Sequence, residues 1–522
     1  MIGRRALLGA AALGLAGPAR AYISTLDLAA SAVPVRQDDW VAPGLDRQVL
    51  IRWGDRVTFD APAWDPRNPT PEGAAAQFGW DARIAGLVQP ALATDGVPRV
   101  VLAVAHREVL AAMAWPGLRD RPELAAAMQG ASLLNLEKAG DRWLVVDGGF
   151  QSRRLGAETL CRWTGPVAAT PGVQGLLAPE AGCATPWGSL LLAEGDPRPW
   201  LARLFPLALR WGEAARYGWV VELDPLDPQS VPAKRSALGR IGAAAVAAAL
   251  AADGRAVVFL ADGQPLGFLY RFVSAGPAAE PDALDAGRLQ VAQAEGESLR
   301  WRDLPAGAES DPAAAAAAAG ATRFDTPAAL ALDPRGGRLL LACRAGSGRS
   351  PSRVDALNPR PGAHPGHVLE FTGAPEAERM AGRILFLAGD AAEGGRYGRD
   401  QPMAALPRYP ATLAVDARGR LWVGTDRFGA PGAAADAVFA CDLDGPGRAV
   451  LLPAYGAPLA GGLGGAMPTP QGDALLVTVR HPGAAPGASF DQPATRWPAF
   501  DSRLPPRAAL LGLARPGGRP GG

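Results

Sequence analysis

The apolar positions of this chain recur in a paired pattern. A short apolar run meets a turn containing glycine, a second apolar run follows, and a polar residue closes the unit. "ATLAVDARGRLWVGTDR" at 411–427, "AALALDPRGGRLLLACR" at 328–344 and "VAAALAADGRAVVFLADG" at 246–263 share this form. So do "AMPTPQGDALLVTVRH" at 466–481, "PEAGCATPWGSLLLAEGD" at 179–196 and, more weakly, "LATDGVPRVVLAVAHRE" at 92–108. Asp-Gly and Asp-x-x-Gly between apolar runs are hairpin signals. Related hairpins recurring at irregular intervals predict an array of blades with insertions. A closed β-propeller suits such an array, because radial repetition leaves few exposed strand edges. A β-sandwich with helical insertions is the alternative. Short helices are expected over 122–129 and 312–321, where they fit as insertions between blades.

A hairpin returns to the end from which it started. The residue before its first strand therefore lies beside the residue after its second. If all six hairpins are inner pairs of blades, these residues form a ring at one mouth of the channel. On this reading Glu180 and Glu194 are neighbours despite their separation in sequence. They form either a metal pair or two solvated strand ends. Cys183, inside the same hairpin, reads more readily as a small buried apolar residue than as a ligand.

Composition excludes several functions. The 522 residues are 48% hydrophobic and 20% charged, with a net charge of +1. That balance gives no electrostatic basis for binding nucleic acid or an anionic membrane. No CxxC or His-rich metal motif is present, and four histidines in the chain argue against a His-built zinc site. The four cysteines allow two disulfides, but their spacing does not give the pairing. The N-terminus, "MIGRRALLGAAALGLAGPARA", has paired arginines, a short apolar run and a small-residue cleavage site. It reads as a twin-arginine export signal over 1–21. An N-terminal extension over 22–75, a propeller over 76–515 and a disordered tail over 516–522 follow. The expected location is periplasmic or secreted, with no stable membrane insertion and a monomeric state.

Several longer motifs occur in a characteristic order. They are "TPWGSLLLAE" (185–194), "YGWVVELDPLDP" (217–228), "AKRSALGRI" (233–241), "FLYRFVS" (268–274), "NPRPGAHPGHVLEF" (358–371), "LFLAGD" (385–390), "RGRLWVGTD" (418–426) and "RHPG" (480–483). In these motifs the chain resembles the PhoX-type alkaline phosphatases. The resemblance implies a six-bladed propeller of all-β class, with loop and short helical insertions. It also implies phosphomonoester hydrolysis at a channel mouth lined by calcium and iron. Clustered ions would neutralise a phosphoryl group and activate its nucleophile, and such hard ions need several carboxylate oxygens.

The chain departs from that family's pattern at the opening of one hairpin after another. The cysteine ligand expected shortly before the Thr-Pro-Trp-Gly turn at 185–188 is Glu180 here. A His-Glu pair becomes Ala243-Ala244, Arg-Pro-Glu becomes Thr326-Pro327-Ala328, and Pro-Asp-Gly becomes Pro410-Ala411-Thr412. An acidic position near 461–462 holds Gly461 and Gly462, and another His-Glu pair becomes His106-Arg107. The surviving candidate metal ligands are Glu180, Glu194, Asp262 and Asp426. Arg344, Arg480 and His481 are candidate contacts for a small phosphorylated molecule or another small ligand. The ions are either reduced to one calcium or lost. Three functions follow: a metal-dependent phosphatase, an inactive binding propeller, or a calcium-dependent hydrolase of lactonase type.

Overall fold

The computed structural model describes residues 28, 32–204, 214–398, 401–402, 405–427, 434–445 and 447–516. The export signal expected over 1–21, and the tail beyond 516, lie outside the described residues.

Six antiparallel blades surround an axial channel. Their innermost strands are Arg83–Val88, Pro179–Ala184, Ala243–Leu250, Pro327–Leu332, Pro410–Val415 and Leu463–Pro468. Each lies beside the next, and Arg83–Val88 lies beside Leu463–Pro468 to complete the ring. Each innermost strand pairs with the strand that follows it: Arg99–His106, Leu190–Glu194, Arg255–Asp262, Arg338–Cys343, Arg420–Thr425 and Ala474–Val479. Five of the six expected hairpins are therefore inner blade pairs, and the sixth, at 92–108, supplies only the second strand of its pair. In the first, the inner strand lies at 83–88, earlier than the 92–108 stretch suggested, and residues 89–98 connect it to its partner.

The second strands read as unbroken apolar runs because both of their faces are buried. Successive side chains point to opposite faces of a strand. Leu190 and Leu192 pack with Val101 and Ala103 of blade one, whereas Leu191 and Ala193 pack with Val258 and Leu260 of blade three. Phe259 and Leu341 meet between blades three and four, Leu340 and Val423 between four and five. Trp422 and Val477 meet between five and six, and Leu476 meets Leu102 between six and one. The core is thus six wedges, one at each blade interface. Burying such an aliphatic side chain contributes about 1.5–3 kcal/mol.

Closure uses both ends of the chain. Asp46–Arg52 forms the outer edge of blade six, paired with Ala509–Ala514 from Asp46↔Ala514 to Arg52↔Ala509. Trp40–Val41 adds an edge to blade five through Gly456 and Tyr455. The segment read as an extension before the propeller is therefore part of it. Helices occur over Pro122–Met128 and Pro312–Ala318, at the two expected places, and also over Pro71–Ala76 and Arg198–Leu204. No described helix is long and apolar enough to cross a membrane. All four cysteines are free thiols.

Removing the residues before Trp53 leaves the outer edge of Ala509–Ala514 unpaired. The truncated protein is expected to unfold at a temperature lower by at least roughly 10 °C, or to aggregate. Differential scanning calorimetry of the two forms checks this.

Candidate functional site

The inner strands share a local irregularity that defines the mouth. Each carries a register shift at its opening, between Ile84 and Gly86, Pro179 and Ala181, Ala243 and Ala245, Pro327 and Ala329, Pro410 and Thr412, and Leu463 and Gly465. A bulge of this kind re-aims one side chain. The six bulge residues are Ala85, Glu180, Ala244, Ala328, Ala411 and Gly464. Three of these strands are entered through a non-glycine residue at positive φ: Ala178 at 49°, Thr326 at 45° and Tyr409 at 59°. Such backbone costs on the order of 1 kcal/mol or more per residue and clusters where a side chain must be presented. The presenting backbone is therefore intact, while five of its six bulge positions carry only Ala or Gly. Arg83 and Glu180 are the charged residues among the alanines, glycines and aliphatic groups that line this part of the channel.

Glu180 is held by two arginines. Its carboxylate lies 3.2 Å from Arg107 Nε and 3.9 Å from Arg83 Nη1. A Cβ on Gly195 would come within 2.9 Å of Glu180 Oε2, so the glycine makes room for the side chain. Glu194 pairs by backbone with Pro179, next to Glu180, as the hairpin geometry predicts. Its carboxylate, however, is fully buried and committed elsewhere. Lys234 Nζ lies 3.0 Å from both oxygens, and the amides of Leu177, Gly218 and Trp219 donate to them at 2.9–3.1 Å. Lys234 also donates to the Arg216 carbonyl at 2.8 Å and lies 4.6 Å from the centre of the Tyr217 ring.

Asp426 and Arg480 belong to one buried network. Arg480 donates through Nε and Nη2 to the two oxygens of Asp81 at 2.9 and 3.1 Å, and through Nη1 to Asp426. Its Nη2 also lies 3.6 Å from Glu108. Burial opposes charge on Asp81 and Asp426, yet Arg480 above all holds both carboxyls well below their ordinary range. His481 Nδ1 donates to the Ala460 carbonyl at 3.2 Å, and the ring stacks on Trp80. Burial, then Arg480, lowers its pKa. A Cβ on Gly462 would come within 2.8 Å of Asp426 and 3.1 Å of His481, so no acidic side chain fits there without rearrangement. Asp262 caps its own turn, accepting from the Gln264 amide at 3.0 Å. Burial and the neighbouring Asp196 raise its pKa.

No three of Glu180, Glu194, Asp262 and Asp426 bring ligand atoms within 4.8 Å of one another. Calcium binds six to eight oxygens. A ring whose single bulge carboxylate is salt-bridged to two arginines does not fit a cluster of calcium and iron. Cys183 faces the wedge between blades two and three, and burial pushes its thiol up to about 12. Arg344 is different from the other mouth residues. It follows the second strand of blade four, where its amide donates to the Thr326 carbonyl at 2.9 Å. Among the described residues its half-buried guanidinium makes no ion pair, although its charge reaches Asp426. Sequence reasoning missed Arg83 and Lys234, whose partners lie on other strands. Their position among apolar neighbours was the available signal.

Two predictions follow from these charges. Lys234→Met leaves Glu194 buried and unpaired, and is expected to cost about 3–5 kcal/mol. Adding Glu194→Gln should recover part of that loss, as measured by urea unfolding. Asp436 accepts from the Thr425 hydroxyl and the Arg427 amide, and burial followed by Asp426 raises its pKa to about 7. The folded state therefore holds a proton that the unfolded chain releases near the ordinary value of 3.8. Stability from this group is present below that value and is lost as pH rises through about 7. Unfolding free energy is expected to fall by on the order of 2 kcal/mol between pH 5 and 8, and Asp436→Asn should remove that slope.

Comparison with known proteins agrees with the architecture. PhoX from Pseudomonas fluorescens, solved in complex with vanadate, superposes with a TM-score of 0.84 at 24% identity, covering 94% of this chain and 98% of that one. A gluconolactonase from Xanthomonas campestris matches with a TM-score of only 0.30 at 11% identity, over 93% and 98% of the two chains. No curated protein matches the sequence. The family model "Alkaline phosphatase PhoX" matches residues 28–483. The chain belongs to the PhoX alkaline phosphatase family.

Proposed function

We propose that this phosphatase-like propeller captures a small phosphorylated molecule at its mouth through arginine, and has given up hydrolysis by a carboxylate-held ion cluster. One observation carries the reading: five of the six bulge residues are Ala or Gly, and the sixth, Glu180, is already paired with Arg83 and Arg107. Family membership supports a phosphate-bearing ligand, and the P. fluorescens relative binds vanadate, a transition-state analogue. Arg344 is the residue best suited to meet it. Its guanidinium, which makes no ion pair among the described residues, offers paired donors that match the spacing of phosphate oxygens. Arg480 and His481 act behind it. Arg480 fixes Asp81 and Asp426, and His481 closes the wall beside them. The twin-arginine signal over 1–21 would deliver the folded monomer to the periplasm.

The second reading, a metal-dependent phosphomonoesterase, draws on family membership and on the strained backbone retained at the mouth. Calorimetry and a turnover assay separate the two. Inorganic phosphate and p-nitrophenyl phosphate are expected to bind, and Arg344→Ala should weaken both by about 10- to 100-fold, the scale of a charged hydrogen bond. p-Nitrophenyl phosphate turnover with added calcium and iron should stay at the buffer rate. Calcium-dependent turnover that Glu180→Gln abolishes would overturn the proposal.

A further inference from the structure

Beside the mouth, blade four holds a polar group that the phosphate-binding reading does not use. Asp325 lies two residues before the inner strand Pro327–Leu332. His367 opens the third strand, His367–Thr372, paired with Cys343 on one side and Leu387 on the other. His364 lies three residues earlier, in the loop leading to that strand. Asp325 and His367 are fully buried, and the His364 side chain is 5% exposed. One ligand atom from each of the three lies within 4.8 Å of the others.

Two features of this group point to a missing partner. Neither ring nitrogen of His367 has a hydrogen-bond partner. Leaving a buried polar group unsatisfied costs about 1–3 kcal/mol, and native structures rarely do so without a reason. In addition, His364 Nε2 lies 3.4 Å from Asp325 Oδ2, a poor hydrogen bond. That spacing is close to the edge of a tetrahedron with metal bonds of about 2.0 Å.

We propose that Asp325, His364 and His367 form a binding site for a divalent transition-metal ion of the zinc class. Two imidazole nitrogens and one carboxylate oxygen leave the fourth position to water. Arg349 holds the carboxylate from behind, with Nη2 3.2 Å from Oδ1 and Nε 3.4 Å from Oδ2, and so orients it as an outer partner. Its charge also offsets that of Asp325. Affinity then rests on the imidazoles, and the site selects zinc or cobalt over calcium. Loading moves the His364 proton from Nε2 to Nδ1 and gives up the 3.2 Å bond that Nδ1 accepts from the Gly366 amide. The bound ion ties together the entrance of one strand, the loop after Arg344 and the start of another strand.

The test uses the full, untagged exported protein freed of metal by chelation. Zinc titration calorimetry should give one site per chain, and Co²⁺ should develop visible bands of tetrahedral intensity. Calcium should do neither. His364→Gln, at the least buried ligand, should weaken zinc binding by at least about 100-fold while circular dichroism stays unchanged. X-ray absorption at the zinc edge of the unaltered protein should show two imidazoles, which decides the matter even if the variant fails to fold. Unchanged zinc affinity in folded His364→Gln, or an edge spectrum without imidazole scattering, would overturn the site. None of these readouts depends on phosphate binding.

Discussion

The pairing of Asp46–Arg52 with Ala509–Ala514 is the constraint on which the propeller depends. It makes the ring close on itself through strands from opposite ends of the chain. Each blade is hydrophobic on both faces, so it is stable only between two others. An open ring would expose one whole wedge, such as that formed by Val100, Leu102 and Val104 against Leu476 and Leu510. Closure therefore turns six interfaces of local stability into one cooperative unit. It also sets the positions of the six inner strands, and with them the geometry of the mouth.

That dependence separates the scaffold from its chemistry. The second strands are held by wedges on both sides, and among the bulge residues Ala85 belongs to one of those wedges. Glu180, Ala244, Ala328 and Ala411 line the channel. Ala244, Ala328 and Ala411 thus carry no packing role in any wedge. The charges that remain obey a stricter rule: a buried charge must be paired. Arg480 meets this rule with Asp81 and Asp426, Lys234 with Glu194, and Arg83 and Arg107 share Glu180.

The hairpins were legible because their turns carry Asp and Gly and their second strands are apolar throughout. The ring was legible in outline for the same reason. The inner strand of blade one was displaced because Gly86, at its bulge, and the ten-residue connection 89–98 interrupt the repeat. The closing strand Asp46–Arg52, with its two arginines and glutamine, does not carry the hairpin form. The candidate site was legible by position and not by partner. Glu194 does stand at the end of its strand, but nothing local announces Lys234, forty residues later. Asp81 reaches Arg480 across 399 residues. Such pairings are consequences of closure, and a pattern read within one hairpin cannot contain them. The histidines at 364 and 367 were too few to suggest a site until blade four brought Asp325 beside them.

The residues immediately after the second strands make the comparison sharpest. They are Arg107, Gly195, Gly263, Arg344, Asp426 and Arg480 in chain order. Three are arginines in equivalent places, so their backbone settings do not explain their different surroundings. Arg107 has Glu180 from the next blade, and Arg480 has carboxylates from both adjoining blades. Arg344 stands where the adjoining inner strands present Ala244 and Ala411, and its own presents Ala328. The inner strands around Arg344 thus bring it no carboxylate at their bulge positions. Whether a guanidinium in this ring is neutralised is therefore set by the bulge residues that its own and the adjoining blades present.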